Sequence, residues 1–213
     1  MKYKAILFDM DGTLLDTLTD MADAVNHILS VHGWPLRTTE EVRAFVGNGA
    51  RRLMERAVPP EVTGGDFEAV LTEYRDWYQA HNCVATAPYP GIPALLAALA
   101  EAGIKTAVVS NKPDATTKTL AARFFPGLPA FGQRDDVPPK PAPDLVFRAL
   151  ETLGVDAADA VYVGDSEVDV ATARNAGLPL AAVSWGFRGH RALAEAGAAV
   201  IVDTAAELLA LLQ

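Results

Sequence analysis

The chain has 213 residues, of which 50% are hydrophobic, and its formal net charge is −9 at pH 7. This length and composition predict a globular protein with a sizeable hydrophobic core. The negative charge argues against binding to nucleic acid or to an anionic membrane, whereas a small anion needs only a local positive site.

Cysteine usage and the absence of a targeting pattern indicate a cytoplasmic protein. Cys83 is the single cysteine, so no disulfide can form within the chain. The apolar run at residues 5–8 is too short for the hydrophobic region of a signal peptide, and no run approaches the length of a membrane span. We therefore expect a soluble protein, either a monomer or a homodimer, with no membrane or nucleic acid as partner.

The first predicted element is a short buried strand, AILF, which leads directly into Asp9 and Asp11. Gly12 follows and permits a tight turn. Carboxylates this close either raise each other's pKa or bind a cation. Taken alone, the same residues could also form an acidic loop without function.

Residues 17–86 carry helical patterns and no strand signal. Apolar residues at helical spacing form two faces, and Thr38 with Glu41 has the pattern of a capping box. We predict an all-helical cap domain at residues 16–87, inserted into a catalytic core formed by residues 1–15 and 88–213. The two faces consist of Leu18, Met21, Ala22, Val25, Ile28 and Leu29, and of Phe67, Val70, Leu71, Tyr74, Trp77 and Tyr78.

Within this insertion, Gly47, Asn48 and Gly49 directly precede a predicted helix that carries Arg51 and Arg52. Backbone N–H groups at the start of a helix attract anions. The segment therefore predicts a small anion pocket that binds a second acidic group of a substrate. The alternative is an ordinary turn between helices with solvated arginines.

Apolar runs alternate with helical patterns in the rest of the chain, which is typical of strands buried on both faces of a parallel sheet. The fold class is therefore predicted as α/β, a doubly wound parallel sheet with the helical insertion. In such sheets the functional loops gather at the carboxyl ends of the strands. The runs are IKTAVVS, AVYVG, LPLAAVS and AAVIVD.

A second acidic group, GDSEVD, directly follows the strand AVYVG. Asp165 ends the strand region, and Asp169 lies about one helical turn further along. Because the carboxyl ends of parallel strands share one edge, these residues could bind one metal ion together with Asp9 and Asp11. Oxygen ligands without a His or Cys cluster favour Mg²⁺ over zinc.

Groups suited to a phosphate lie in two other segments. Ser110, Asn111 and Lys112 end the strand IKTAVVS, and Lys140 lies in the proline-stiffened segment PPKPAP. A phosphate dianion that enters a site with several aspartates is repelled, so a divalent ion and at least one lysine are needed to neutralise it. The combination suggests phosphate chemistry.

Four motifs in this order resemble those of the haloacid dehalogenase superfamily. They are DMDGTL at residues 9–14, Ser110 after AVV, Lys140 in KPAPD, and GDSEVD at residues 164–169. The resemblance covers the whole chain and implies a phosphatase with a Rossmann-like core and a small helical cap. The second aspartate of DMD argues against the dehalogenases and phosphonatases of this superfamily.

The resemblance also implies roles for individual residues. Asp9 would be the nucleophile that forms an aspartyl phosphate, and Asp11 would be the general acid and base. Mg²⁺ would be held by Asp9, by the backbone carbonyl of Asp11 and by Asp165. Asp169 would orient a metal-bound water or Lys140, with Ser166 beside it in a supporting role. Lys140 would pair with Asp9 and with phosphate. The substrate would be bound by Gly12, Thr13, Ser110, Asn111 and Lys112.

The substrate implied by the resemblance is a small phosphorylated metabolite. Residues 44–57 and SNKP at residues 110–113 resemble the phosphoglycolate phosphatase branch, which implies 2-phosphoglycolate or a similar small acidic phosphate. A sugar-phosphate phosphatase or a β-phosphoglucomutase-like phosphomutase is the alternative within the superfamily. A non-catalytic phosphoacceptor module is the alternative from a different class.

Overall fold

A computed structural model describes residues 2–213. The chain divides into two compact units, one formed by Met1–Asp16 with Pro88–Gln213 and the other by Thr17–Ala87. Within the described residues, no helix combines the length and the apolar character needed to cross a membrane.

The described residues form eight strands and ten α-helices. The strands are β1 (Ala5–Phe8), β2 (Leu15–Asp16), β3 (Ala87–Pro88), β4 (Lys105–Pro113), β5 (Ala130–Gln133), β6 (Ala160–Gly164), β7 (Leu180–Val183) and β8 (Ile201–Val202). The helices are α1 (Leu18–Val31), α2 (Thr39–Phe45), α3 (Gly49–Ala57), α4 (Gly64–His81), α5 (Ile92–Glu101), α6 (Asp114–Phe124), α7 (Asp144–Leu153), α8 (Glu167–Ala176), α9 (Gly189–Glu195) and α10 (Ala205–Leu212).

Six strands form one parallel sheet in the order β5-β4-β1-β6-β7-β8, and β2 pairs with β3 in a separate two-stranded sheet. Every residue of β1 and of β6 is buried, as the continuous apolar runs predict for strands covered on both faces. Side chains of β1, β4 and β6 pack in one cluster with those of α7 and α8. The predicted α/β fold is confirmed.

The order of the strands places a switch point at β1. From β1 the chain continues outward through β4 and β5, and it later returns to fill the other side with β6, β7 and β8. The loops that follow β1, β4 and β6 therefore meet at one carboxyl edge, which is where doubly wound sheets bind their ligands.

The second unit consists of α1 to α4. The predicted apolar face of α1 is buried throughout, and Thr38 and Glu41 form the predicted capping box at the start of α2. On α4 the predicted face is buried except for Trp77, which is partly exposed. The indole of Trp77 instead stacks between the rings of His27 and His81, with centroids 4.7 Å and 4.0 Å away.

A buried carboxylate joins the two ends of this helical unit. Asp20, near the start of α1, is 1% exposed. Its oxygens accept hydrogen bonds from the backbone N–H groups of Val84, Ala85 and Thr86 at 2.8–3.1 Å, and from the hydroxyl of Thr86 at 2.7 Å. These bonds hold the segment after α4 against α1.

Candidate active site

Asp9 lies directly after β1 and is 8% exposed. Its Oδ1 accepts hydrogen bonds from the backbone N–H of Met10 at 2.7 Å and from Nζ of Lys140 at 2.9 Å. Its Oδ2 accepts no hydrogen bond from the described residues. One oxygen thus holds the carboxylate in place, and the other is available to a ligand.

The turn after Asp9 requires a glycine at position 12. Gly12 has a φ of +83°, and a Cβ there would lie 2.3 Å from Oδ2 of Asp165. The N–H groups of Gly12 and Thr13 donate to the carbonyls of Leu15 and Met10 within the turn. The hydroxyl of Thr13 donates to Oδ1 of Asp165 at 3.2 Å. The loops after β1 and β6 therefore contact each other closely.

Three consecutive polar residues at the end of β4, Ser110, Asn111 and Lys112, are buried. The regular part of β4 that precedes them, Ala107 to Val109, is buried as well, as expected for a strand covered on both faces. The register of β4 with β5 shifts between Val109 and Pro113, so these polar residues lie at an irregularity of the strand.

Each of these three residues contacts other protein groups. Oγ of Ser110 accepts the N–H of Lys112 at 3.1 Å. The amide of Asn111 donates to the carbonyl of Lys140 at 3.0 Å and accepts its N–H at 2.7 Å. Nζ of Lys112 lies 3.1 Å from Oδ1 of Asp11. Asn111 thus fixes the segment that carries the lysine of the third motif.

Lys140 contacts three other side chains of the site, and its own side chain is only 2% exposed. Its ammonium nitrogen lies 2.9 Å from Oδ1 of Asp9, 2.9 Å from Oδ1 of Asp169 and 3.0 Å from the hydroxyl of Tyr162. An ammonium group has three N–H donors, so these three acceptors satisfy it. Sequence reasoning did not identify Tyr162; the available signal was one hydroxyl within the otherwise apolar strand AVYVG.

Asp169 is held on both of its carboxylate oxygens. Oδ2 accepts hydrogen bonds from the backbone N–H of Ser166 at 3.1 Å and from its hydroxyl at 2.6 Å, which forms a capping box at the start of α8. Oδ1 contacts Lys140. The cap of the helix therefore fixes the carboxylate that contacts the lysine.

Asp165 is supported by the loop after β7. The backbone N–H of Phe187 donates to Oδ2 of Asp165 at 2.7 Å, and the indole N–H of Trp185 donates to the carbonyl of Thr13 at 3.0 Å. A Cβ at Gly186 would lie 2.3 Å from Oδ2 of Asp165. The sequence predicts that this loop reaches the carboxyl edge of the sheet, but it favours a packing role for Trp185.

Burial and the neighbouring charges shift the pKa values of Asp9, Asp165 and Lys140. Burial, followed by the negative charge of Asp169, raises the pKa of Asp9 to about 7 against the lowering effect of Lys140. Burial and then the charges of Asp169 and Asp9 raise the pKa of Asp165 well above its ordinary range. Burial lowers the pKa of Lys140, but the carboxylates of Asp169 and Asp9 outweigh burial and hold this pKa well above its ordinary value.

The residues fit a hard divalent cation. One carboxylate oxygen from each of Asp9, Asp165 and Asp169 lies within 4.8 Å of the others, and all three residues are buried. Asp169 is paired with Lys140 through Oδ1 and bound to Ser166 through Oδ2, whereas Oδ2 of Asp9 accepts no hydrogen bond and Asp165 forms no ion pair among the described residues, so Asp9 and Asp165 are the better ligands. A cation between them would offset the burial and the repulsion that together raise their pKa values. The donor set consists of oxygen atoms, which Mg²⁺ prefers.

The sequence matches the family described as haloacid dehalogenase-like hydrolase over residues 6–183. This span covers well over half of the chain and contains all four predicted motifs. The protein belongs to this family. The family resemblance predicted from the sequence is therefore confirmed.

Relatives of this haloacid dehalogenase-like hydrolase carry phosphatase names. The chain is 35% identical to N-acetylmuramic acid 6-phosphate phosphatase of Pseudomonas aeruginosa, with 98% of this chain and 94% of the relative covered. It is 38% identical to a plasmid-encoded phosphoglycolate phosphatase of Cupriavidus necator, with 98% and 92% covered.

Solved structures agree with these relatives. A crystal structure of a candidate phosphoglycolate phosphatase from Lactobacillus delbrueckii matches with a TM-score of 0.93 and 38% identity, and 98% of each chain is covered. The predicted enzyme class, a phosphatase, is confirmed at the level of the family and its relatives.

The remaining predicted residues of this family member lie in the helical unit, at the start of α3. Asn48 precedes the helix but makes no side-chain capping bond to it. Both terminal nitrogens of Arg51 donate to the carboxylate of Glu68 at 2.8 Å. Arg52 donates to Glu55 at 2.7 Å. Both arginines are therefore paired within the unit and exposed.

Their neighbours Gly47 and Gly49 have φ angles of +111° and +81°. Positive φ values favour glycine, so these two residues shape the turn that leads into α3.

Proposed function

We propose that the protein is a Mg²⁺-dependent phosphomonoester hydrolase that acts through an aspartyl phosphate on Asp9. The observation that carries this proposal is the state of the Asp9 carboxylate. Oδ1 is held by Lys140 and by the N–H of Met10, and Oδ2 accepts no hydrogen bond from the described residues. A nucleophile that is oriented by one oxygen in this way can attack with the other.

The reaction proceeds in two steps. In the first, a carboxylate oxygen of Asp9 forms a bond to phosphorus while the bond from phosphorus to the alcohol oxygen breaks, and Asp11 donates a proton to that oxygen. In the second, Asp11 accepts a proton from water as the water oxygen attacks phosphorus, and the Asp9–phosphate bond breaks. Inorganic phosphate leaves, and both carboxyl groups return to their starting states.

The other residues of the site stabilise the charge of the phosphoryl group. We infer that Ser110 binds a phosphate oxygen and that Lys140 pairs with both Asp9 and the phosphoryl group. Mg²⁺ held by Asp9, Asp165 and the backbone carbonyl of Asp11 would act as a Lewis acid on the phosphoryl oxygens. Asp169 keeps Lys140 in place, and Ser166 keeps Asp169 in place.

We propose that the substrate is a small metabolite that carries a carboxylate as well as its phosphate ester. Support comes from the relatives, because phosphoglycolate and N-acetylmuramic acid 6-phosphate, the compounds in their names, share these two groups. The first relative also favours a second candidate, the phosphatase of a sugar phosphate. We propose that the start of α3, near Gly47, Asn48 and Gly49, binds a small carboxylate.

A phosphate-release assay with Mg²⁺ tests the proposal. The substrates are 2-phosphoglycolate, N-acetylmuramic acid 6-phosphate, N-acetylglucosamine 6-phosphate, which lacks the carboxylate, and β-glucose 1-phosphate. We expect the highest kcat/KM for a phosphate that also has a carboxylate. Isomerised glucose phosphate without released phosphate would identify a mutase instead. Protein that releases no phosphate from any ester would overturn the hydrolase and favour a phosphoacceptor.

A further inference from the structure

Each of the two aspartates in the DMD motif contacts its own buried lysine. Lys140 lies 2.9 Å from Asp9, and Lys112 lies 3.1 Å from Asp11. The first lysine belongs to the four motifs, whereas the second does not. Its side chain is nevertheless only 4% exposed, although lysines are almost never buried unless they are paired.

We propose that Lys112 is a positioning residue that holds the carboxylate of Asp11 for proton transfer. The proposal rests on the proposed function, in which Asp11 is the acid and base. In this proposal Lys112 contacts a protein carboxylate. Its residue type alone had suggested that it binds the substrate.

The backbone of Lys112 is fixed on both sides. Its N–H donates to Oγ of Ser110 at 3.1 Å, and its carbonyl accepts the hydroxyl of Thr117 at 3.1 Å. On the neighbouring strand, a Cβ at Gly132 would lie 2.7 Å from this carbonyl, so β5 approaches as closely as a glycine allows. The ammonium group is therefore carried by a rigid part of β4, at the irregularity of the strand.

Asp11 needs such a contact because its surroundings are negative. It follows Asp9 by two residues, and its charge contributes to the raised pKa of Asp9. Its side chain is 19% exposed, so water offers the carboxylate an alternative position. Proton transfer requires a group within hydrogen-bond reach of the leaving oxygen, and small misplacements cost large factors in rate. An ammonium group at 3.1 Å counters both the repulsion and the pull of water.

Two leaving groups separate this positioning from binding of phosphate. p-Nitrophenolate leaves without being protonated, whereas the alkoxide of glycerol 2-phosphate needs the proton of Asp11. Attack of water on the aspartyl phosphate needs Asp11 as a base in both reactions. Loss of the contact should therefore slow phosphorylation by the alkyl ester and slow dephosphorylation, but spare phosphorylation by p-nitrophenyl phosphate.

The experiment compares Lys112→Met with wild type in rapid-mixing kinetics with Mg²⁺. We expect the variant to release a fast burst of p-nitrophenolate, followed by steady turnover that is slower by about 10–100-fold. Single-turnover phosphorylation by glycerol 2-phosphate should slow by the same factor. Lys112→Arg, which keeps the positive charge, should recover most of this loss. Lys118→Met is the matched control, because Lys118 is an exposed lysine on α6 paired with Asp114, and it should behave as wild type.

Three results would overturn the inference. They are equal slowing of phosphorylation by both esters, a rise in KM confined to carboxylate-bearing substrates, and unchanged kinetics of Lys112→Met. Partial unfolding of the variant reduces the burst amplitude and not the burst rate, so the rate remains a valid readout. If wild-type protein itself shows no phosphoryl transfer, the proposed function fails, and that outcome is distinct from the other three.

Discussion

The hydroxyl of Tyr162 lies 3.0 Å from the ammonium nitrogen of Lys140 and supplies its one uncharged acceptor. The same hydroxyl lies 3.2 Å from the carbonyl of Val109 and 3.3 Å from Oδ1 of Asp169. Tyr162 is fully buried, so it connects the lysine of the site to the backbone of β4 inside the core. The position of Lys140 thus depends on a residue outside the four motifs.

Replacing this hydroxyl should cost stability more than activity. Tyr162→Phe leaves one buried N–H of Lys140 without an acceptor and removes a hydrogen bond to the carbonyl of Val109, which destabilises a protein by about 1–3 kcal/mol. Phosphate release should fall less than about tenfold, because the contact of Lys140 with Asp9 remains. Urea unfolding and steady-state kinetics measure the two effects. Tyr3→Phe, at a partly exposed tyrosine, is the control, and equal stability of both variants would contradict the prediction.

The stability of the metal-free protein should depend on Asp9 in a defined pH window. A carboxyl group whose pKa is higher in the folded state binds an extra proton there, so stability falls as pH rises between the unfolded and folded values. For Asp9 this window runs from about 3.8 to about 7. In EDTA, the Tm of Asp9→Asn should increasingly exceed that of wild type across this window.

Added Mg²⁺ provides the contrast for this measurement. The cation relieves the repulsion in wild type, whereas Asp9→Asn has lost one ligand, so the difference in Tm should shrink or reverse. A Tm difference in EDTA that is the same at pH 5 and pH 8 would show that Asp9 does not carry the raised pKa.

Gly186 should tolerate no side chain, because a Cβ there would lie 2.3 Å from both Oδ2 of Asp165 and the carbonyl oxygen of Gly12. Gly186→Ala must displace Asp165 or the turn after β1. We expect turnover to fall at least about tenfold and the half-saturating Mg²⁺ concentration to rise. Gly65→Ala, on α4 with no atom within 4 Å of the added Cβ, should leave both unchanged. Wild-type Mg²⁺ dependence in Gly186→Ala would refute this account of the loop.

The proposed anion pocket at the start of α3 predicts selective effects on acidic substrates. Arg51→Ala and Arg52→Ala should raise KM for 2-phosphoglycolate or N-acetylmuramic acid 6-phosphate more than for p-nitrophenyl phosphate. Because Glu68 competes for Arg51, Glu68→Ala should leave KM for the acidic substrate unchanged or lower it. Equal losses with all substrates would remove the pocket and leave the arginines as partners of Glu68 and Glu55 only.

Local signals made much of the site predictable. Asp9 and Asp165 follow uninterrupted apolar strands, and the parallel sheet brings the ends of these strands together. The contact of Lys112 with Asp11 was not predictable, because Lys112 lies at a shift of register in β4 that no residue type indicates. The support of Asp165 by Phe187 was hidden for another reason, since a backbone N–H donates the bond whatever the side chain is.

Asn111 illustrates the same limit. Its position next to Ser110 suggests contact with a substrate, but its amide makes two hydrogen bonds to the backbone of Lys140. The path of residues 134–143 decides whether the amide contacts a substrate or the backbone of Lys140. The sequence carries no periodic pattern in these residues, so it does not predict their path. Residue type predicted the presence of a polar group, and only the fold shows its partner.

The central claim is that Asp9 carries the phosphoryl group during turnover. Wild-type protein mixed with p-nitrophenyl phosphate and Mg²⁺, quenched in acid and digested, should yield one phosphorylated peptide, the one that contains Asp9. Hydroxylamine should remove this phosphoryl group, as expected for an acyl phosphate, and Asp9→Asn should show neither the modification nor phosphate release. A phosphoryl group on another residue, or an Asp9→Asn protein that still hydrolyses the ester, would contradict the account.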